Sequence, residues 1–139
     1  MRTGEFEEIA SFLKSERDVK VAYLFGSAAK NSTGKLSDVD IALYLDDGKP
    51  KAEILQLKLR IIAKVASILR ADKVDLVVMN DAPLLLNHNI IKHGRILKSD
   101  ERTRIILEAN ILSRYLDRKP FLTRNAAETL RRAALVGLR

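Results

Sequence analysis

The chain has 139 residues, 47% of them hydrophobic, no cysteine, and a formal net charge of +7 at pH 7. That length suits one domain, 1–139, and the missing cysteines exclude a disulfide framework, a cysteine zinc site and thiol catalysis. No apolar run approaches the roughly 20 residues of a membrane span. The start, Met-Arg-Thr-Gly-Glu-Phe-Glu-Glu, is polar and unlike a signal peptide, so a cytoplasmic protein without membrane contact is expected.

Residues 4 to 17 read as an amphipathic helix, with Phe6, Ile9, Ala10 and Leu13 at helical spacing. Val19, Val21, Tyr23, Leu24 and Phe25 form a buried strand that stops at Gly26. A polar loop follows, then a second strand from Val39 to Leu45, closed by the turn Asp46-Asp47-Gly48. Pro50 starts a long helix to about Arg70. Leu55, Leu59, Ile62, Ala66 and Leu69 make one stripe on it, and Ile54, Leu57, Ile61, Val65 and Ile68 a second, so a wide face is expected against a sheet.

Lys73 to Met79 reads as a third strand in which Asp75 is the only acid. Asn80 to Pro83 is a turn, Leu84 to His93 a helix, and Arg95 to Leu97 a short edge strand. Arg102 to Asp117 is predicted helical, with Ile105, Ala109, Leu112 and Leu116 on one face. Pro120 should interrupt it, leaving Thr123 to Leu138 as a last helix with Arg124, Arg131 and Arg132 exposed. His88 and His93 read as structural or solvent-exposed, and Tyr23, Tyr44 and Tyr115 as packing residues.

Charge is unevenly placed. Residues 1–100 hold 16 Lys and Arg against 14 Asp and Glu; residues 101–139 hold nine against four. The basic segment suits either a solvated helix surface or an acidic partner.

Two stretches carry chemistry. Gly26-Ser27 lets the backbone turn sharply and approach a ligand. Ala28, Ala29 and Lys30 would open a short helix whose free N–H groups, with the Ser27 hydroxyl, make a phosphate seat. Then Ser37-Asp38-Val39-Asp40-Ile41 places two acids at i and i+2 of a strand, on the same face, about 6.6 Å apart along it. Like charges that close repel each other, and Mg²⁺ is the natural third party. Either stretch alone would read as a plain turn or a solvated strand edge; together, on adjacent strands, they suggest a phosphate seat beside a metal pair.

This arrangement resembles the signature of the nucleotidyltransferase superfamily that includes DNA polymerase β, and more closely the minimal nucleotidyltransferases, the MNT antitoxins paired with HEPN toxins. Their pattern is Gly-Ser-x-Ala-Arg-Gly, five residues, then Ser-Asp-x-Asp-Leu. Here Gly26-Ser27-Ala28-Ala29-Lys30-Asn31 is followed by five residues and Ser37-Asp38-Val39-Asp40-Ile41. The spacing matches, with departures at Lys30, Asn31 and Ile41. Lysine keeps the charge of arginine but not its planar fork.

The resemblance implies an α/β (α+β) fold: a small mixed sheet of the polymerase β type packed with helices, its core in 1–100, and a C-terminal helical extension in 101–139. It implies a carboxylate set of Asp38, Asp40 and Asp75 holding two Mg²⁺ ions, and nucleotide contacts from Gly26, Ser27, Lys30 and Ser37. It implies transfer of AMP from ATP to a tyrosine of a HEPN ribonuclease toxin, with the chain acting as antitoxin. Two other readings stay open: neutralisation of the toxin by binding alone, and nucleotidyl transfer to an RNA end or a small molecule. The base preference, the number of AMP units and the oligomeric state are not written in the sequence.

Overall fold

The computed structural model describes residues 2–26 and 39–135. Among the described residues nine elements follow one another: α1 (Thr3–Lys14), β1 (Val19–Phe25), β2 (Val39–Leu45), α2 (Lys51–Leu69), β3 (Val74–Val78), a 3₁₀ turn (Met79–Asp81), α3 (Leu84–His93), β4 (Arg95–Ser99) and α4 (Glu101–Leu135). Four strands form one mixed sheet in the order β3-β2-β1-β4. β2 pairs parallel with β3, and β1 pairs antiparallel with β2 and β4. The long helix α2 is what permits the parallel pair, since parallel strands need a crossover.

The sheet has a core on each face. On one, Ile9 and Leu13 of α1 and Leu57, Ile61 and Val65 of α2 pack against alternate residues of β1 and β2, among them Leu24, Ile41 and Leu43. On the other, Ile90 of α3 and Leu107 and Ile111 of α4 pack against Tyr23, Ala42 and Met79. A register shift between Val19 and Val21 assigns these two residues to opposite cores although they are two apart. A bulge resets the alternation in this way.

Local chemistry sets the boundaries. α1 stops at Ser15, earlier than expected. Glu16 then pairs with Arg60 through two hydrogen bonds of 2.9 and 2.8 Å, and the Lys98 ammonium donates to the carbonyls of Leu13 and Glu16 at the helix end. α2 ends at Arg70, which takes the left-handed conformation (φ 53°) usually left to glycine. Gly94 follows α3 where an added Cβ would lie 2.5 Å from the Ile90 carbonyl oxygen and 3.3 Å from that of Leu24.

Two expectations about the helices are corrected. The wide face of α2 is only partly covered: Leu57, Ile61 and Val65 are buried and Ile62 and Leu69 pack partly buried against the core, whereas Leu55 and Leu59 are exposed. Pro120 does not interrupt a helix, because α4 runs unbroken from Glu101 to Leu135. Proline removes one N–H, the rung to the Leu116 carbonyl, at a cost of about 3 kcal/mol; the remaining rungs on both sides carry the helix past it. On α4, the stripe of Ile105, Ala109, Leu112 and Leu116 faces outward. Leu107 and Ile111 are buried, while Ile105, Leu112 and Leu116 are 60%, 46% and 56% exposed.

Candidate functional site

Register builds the site. Asp40 is the second residue of β2 and Asp75 the second of β3, and the two are direct partners in the parallel ladder. Partners across a parallel pair project to the same face with Cα atoms about 4.8 Å apart. That face is shared with Ala42 and Val77, opposite the face on which Ile41 and Leu76 are buried. Across β1 the partner of Asp40 is Phe25. Gly26 comes immediately after Phe25 with φ 73°, in the region that glycine adopts without strain. The turn and the acid pair therefore sit at the same end of the sheet.

The two acids differ in surroundings. Asp40 is 5% exposed, and Asp75, on the edge strand, is open to solvent. Two carboxylates one strand apart repel, and a divalent cation between them relieves the repulsion with oxygen ligands of the kind Mg²⁺ prefers. The pair is a fitting part of a Mg²⁺ site. Of the other residues singled out in the sequence, Ser27, Lys30, Ser37 and Asp38 lie outside the described residues. Among the described residues no group of three or more potential ligands forms.

At the opposite end of β2, beyond Tyr44, lies a feature that sequence reasoning missed. A cleft of about 430 Å³ opens between the sheet and α4, lined by Tyr44, Asp47, Asn80, Asn87, Asn110 and Arg114 among others. Tyr44 is four residues from Asp40, about 13 Å along the strand. Between them Ala42 is fully buried in a cluster with Tyr23, Met79 and Ile90, so the cleft and the acid pair are separate.

Asparagines shape the cleft. Asn80 binds the end of β2 as a strand would: its Nδ2 donates to the Leu45 carbonyl at 3.0 Å, and its Oδ1 accepts from the Leu45 N–H at 2.9 Å. Asn87 is 8% exposed and donates from Nδ2 to the Met79 carbonyl at 3.0 Å. Its Oδ1, also buried, has no hydrogen-bond partner. Three asparagines among apolar helix and turn positions were the available signal.

Side chains pin α4 and α3 beside this cleft. The buried Tyr23 hydroxyl donates to Glu108 at 2.6 Å, and burial together with the Glu108 carboxylate drives that phenol far above its usual range. Arg104 bridges Glu108 and Glu101 and donates to Ser99. His88 of α3 stacks on Tyr115 of α4 with centroids 3.6 Å apart and planes within 1°. Burial, then the neighbouring Lys92 and His93, lowers the His88 pKa. Both rings thus pack, as expected of them.

The family model for polymerase β nucleotidyltransferases matches residues 7–103. The chain belongs to this family. Among solved structures, a chain of a mutant MntA–HpeT toxin–antitoxin pair is 20% identical with a TM-score of 0.72, covering 90% of this chain and 98% of its own. A chain of a toxin–antitoxin crystallised with AMP-PNP is 22% identical, TM-score 0.69, covering 89% and 98%. A chain from the complex of tri-AMPylated Shewanella oneidensis HEPN toxin with MNT antitoxin is 21% identical, TM-score 0.69, covering 94% and 99%. At these identities the likeness is one of fold. No curated protein matches. Among the described residues no helix is long and apolar enough to cross a membrane.

Proposed function

We propose that this nucleotidyltransferase moves AMP from ATP to a tyrosine hydroxyl of a HEPN ribonuclease toxin, and so acts as its antitoxin in the cytoplasm. In this reading the chain is one nucleotidyltransferase domain, a core in 1–100 with the helical extension 101–139. The observation that carries the reading is the ladder pairing of Asp40 with Asp75 beside the Gly26 turn. Chains of the same fold crystallise in toxin–antitoxin pairs, one with AMP-PNP and one with a toxin that is tri-AMPylated, which favours a protein acceptor and an adenine nucleotide.

Asp38, Asp40 and Asp75 would hold Mg²⁺, two ions in all. When bound, the metal neutralises phosphate charge and lowers the pKa of the acceptor hydroxyl. The chain's own residues do the rest. Backbone N–H groups at Gly26 and Ser27, with Lys30 and Ser37, seat the phosphates and fix the α-phosphorus for in-line attack. The solvent-open Asp75 takes the acceptor's proton. A tyrosine oxygen–phosphorus bond forms, the bond from the α-phosphorus to the bridging oxygen of the β-phosphate breaks, and pyrophosphate leaves.

The test is intact-mass analysis of the purified HEPN partner after incubation with the chain, ATP and Mg²⁺. Added AMP on a tyrosine, lost with Asp40→Asn and with Asp75→Asn, is the expected result. Transfer that persists in both variants would remove Asp40 and Asp75 from the mechanism. A partner held tightly but never modified would leave neutralisation by binding alone, and AMP on RNA in place of protein would replace the acceptor.

A further inference from the structure

We propose that Arg95 and His93, at the corner where α3 turns into β4, bind the terminal phosphates of the nucleotide and, after transfer, the pyrophosphate that leaves. The proposal rests on the reading that the chain moves AMP from ATP, and it assigns the residues that hold the rest of the triphosphate.

The sheet places this corner. β4 pairs antiparallel with β1, and its first residue, Arg95, is the partner of Leu24. Leu24 comes two residues before Gly26, so the corner lies at the same end of the sheet as the Gly26 turn and the acid pair. Gly94 brings it close: a Cβ there would stand 3.2 Å from the Tyr23 Cβ and 3.3 Å from the Leu24 carbonyl oxygen. Across that end of the sheet the order is Asp75, Asp40, the Gly26 turn and the Arg95 corner. At about 4.8 Å per strand, the corner stands one strand from the turn and about 10 Å from Asp40. A triphosphate with its α-phosphorus at the acid pair and its next phosphate at the turn runs on towards the corner.

Arg95 is held there with its donors unspent. It is exposed, and its guanidinium lies over the Phe6 ring of α1, 4.2 Å from the centroid. No carboxylate among the described residues pairs with it, whereas Arg60 and Arg104 are engaged by Glu16, Glu101 and Glu108. Stacking on a ring restrains the guanidinium plane and leaves its N–H edge free, and that planar fork matches phosphate bidentately. His93, also exposed, ends α3. His88, five residues earlier, stacks on Tyr115 of α4. Five residues turn a helix to about 140° from where it began, so His93 stands on the flank of α3 turned away from α4 and from the cleft. A ring N–H donates to a phosphate oxygen.

Charge and position favour phosphate. Residues 82–99 contain no Asp or Glu. Lys98 is spent on the carbonyls of Leu13 and Glu16; Lys92 and Arg95 are not spent. Cations in a last helical turn also stabilise its carbonyls, which accounts for Lys92 and His93 but not for Arg95, a strand residue. An acidic protein segment could meet the same charges, yet the corner adjoins the turn that seats the phosphates and lies across it from the acids.

The experiment titrates the full chain, with Mg²⁺ and without acceptor, by calorimetry with AMP-PNP, inorganic pyrophosphate and AMP. Arg95→Gln should weaken AMP-PNP and pyrophosphate by about tenfold, the scale of a hydrogen bond to a charged group, and His93→Ala by about threefold; AMP should bind as before. Arg95→Lys, which keeps the charge but not the fork, should recover part of the loss. In transfer to the HEPN partner the KM for ATP should rise with kcat held, the mark of binding shared by ground and transition states. If Arg95→Gln and His93→Ala bind AMP-PNP as the wild type does while Asp75→Asn abolishes transfer, the corner is overturned and the transfer reading stands. If both variants weaken AMP-PNP and pyrophosphate although no protein ever receives AMP, the corner stands without that reading. AMP weakened as much as AMP-PNP would show a general loss of the site and overturn the proposal. Partner affinity lost with nucleotide affinity kept would give the corner to an acidic protein segment and overturn it too.

Discussion

The two ends of β2 are built by different means. At one end, Asp40 and Asp75 meet because two hydrogen-bonded strands are in register. At the other, the cleft exists because side chains hold α3 and α4 against the sheet: Tyr23 on Glu108, His88 on Tyr115, Asn80 on β2. Backbone register fixes which residues of two strands stand opposite one another, and a one-residue slip would turn the side chains to the other face. Side-chain clasps let a surface shift as a unit. The acid end and the cleft end can be altered one without the other.

The sharpest way to break that contrast is at the acid end. Asp75→Asn keeps the shape of the strand and removes a charge that the proposed reaction needs, so AMP transfer should fall by about a thousandfold, a loss on the scale of a deleted transition-state contact. A single-turnover assay reads it, and amide exchange along α3 and α4 should not move. A rise there would show that the two ends are coupled.

A smaller effect is expected from Tyr23→Phe. It removes the donor to Glu108 at a buried position, leaving Arg104 to hold the carboxylate. Chemical denaturation should show a loss of about 1.5–2 kcal/mol, within the range for a hydrogen bond to a charged group. Amide exchange should rise along α4 before it rises in β2. Asn80→Ala should cost about 1 kcal/mol through its two bonds to Leu45, with faster exchange confined to the C-terminal end of β2.

The smallest effect concerns pH. The His88 pKa is depressed in the folded chain by burial and by Lys92 and His93. The unfolded chain therefore takes up this proton first as pH falls. The His88–Tyr115 stack is fully favourable above about pH 6.5, the ordinary imidazole value, and loses ground below it as pH falls through the depressed value. Melting curves from pH 7.5 to 5 should show a decline that His88→Phe abolishes. A decline of equal size in that variant would assign it to other groups.

The acid end was the legible one. Asp40 at the head of one apolar strand and Asp75 as the only acid of another each read alone as a solvated strand edge; beside the Gly26 turn they gain meaning together, because burial makes acids rare in such strands. Strand and helix identities followed from period, and α3 was readable to the residue from Pro83 and Gly94. Which α4 face is covered was not legible, for a physical reason. Periodicity reports that a stripe is apolar; it does not report what covers it. On α4 two apolar stripes lie side by side, Leu107 and Ile111 next to Ile105, Leu112 and Leu116, and only the sheet's position decides between them. The cleft was hidden because hydrogen bonds from asparagine to distant backbone leave no local pattern. Pro120 misled because one missing rung was read as a full stop.

That unbroken helix has one more consequence. At 1.5 Å per residue, the 35 residues of α4 span about 53 Å, more than twice the reach of a seven-residue strand. A continuous helix transmits rotation as well as distance, about 100° for every residue. Removing a single residue just before Pro120 would swing everything beyond it around the axis by that angle while leaving the sheet untouched. Two helices joined by a loop would absorb such a change. In this chain the azimuth of the outer half is locked to the inner half, and so to the sheet that α4 is clasped against.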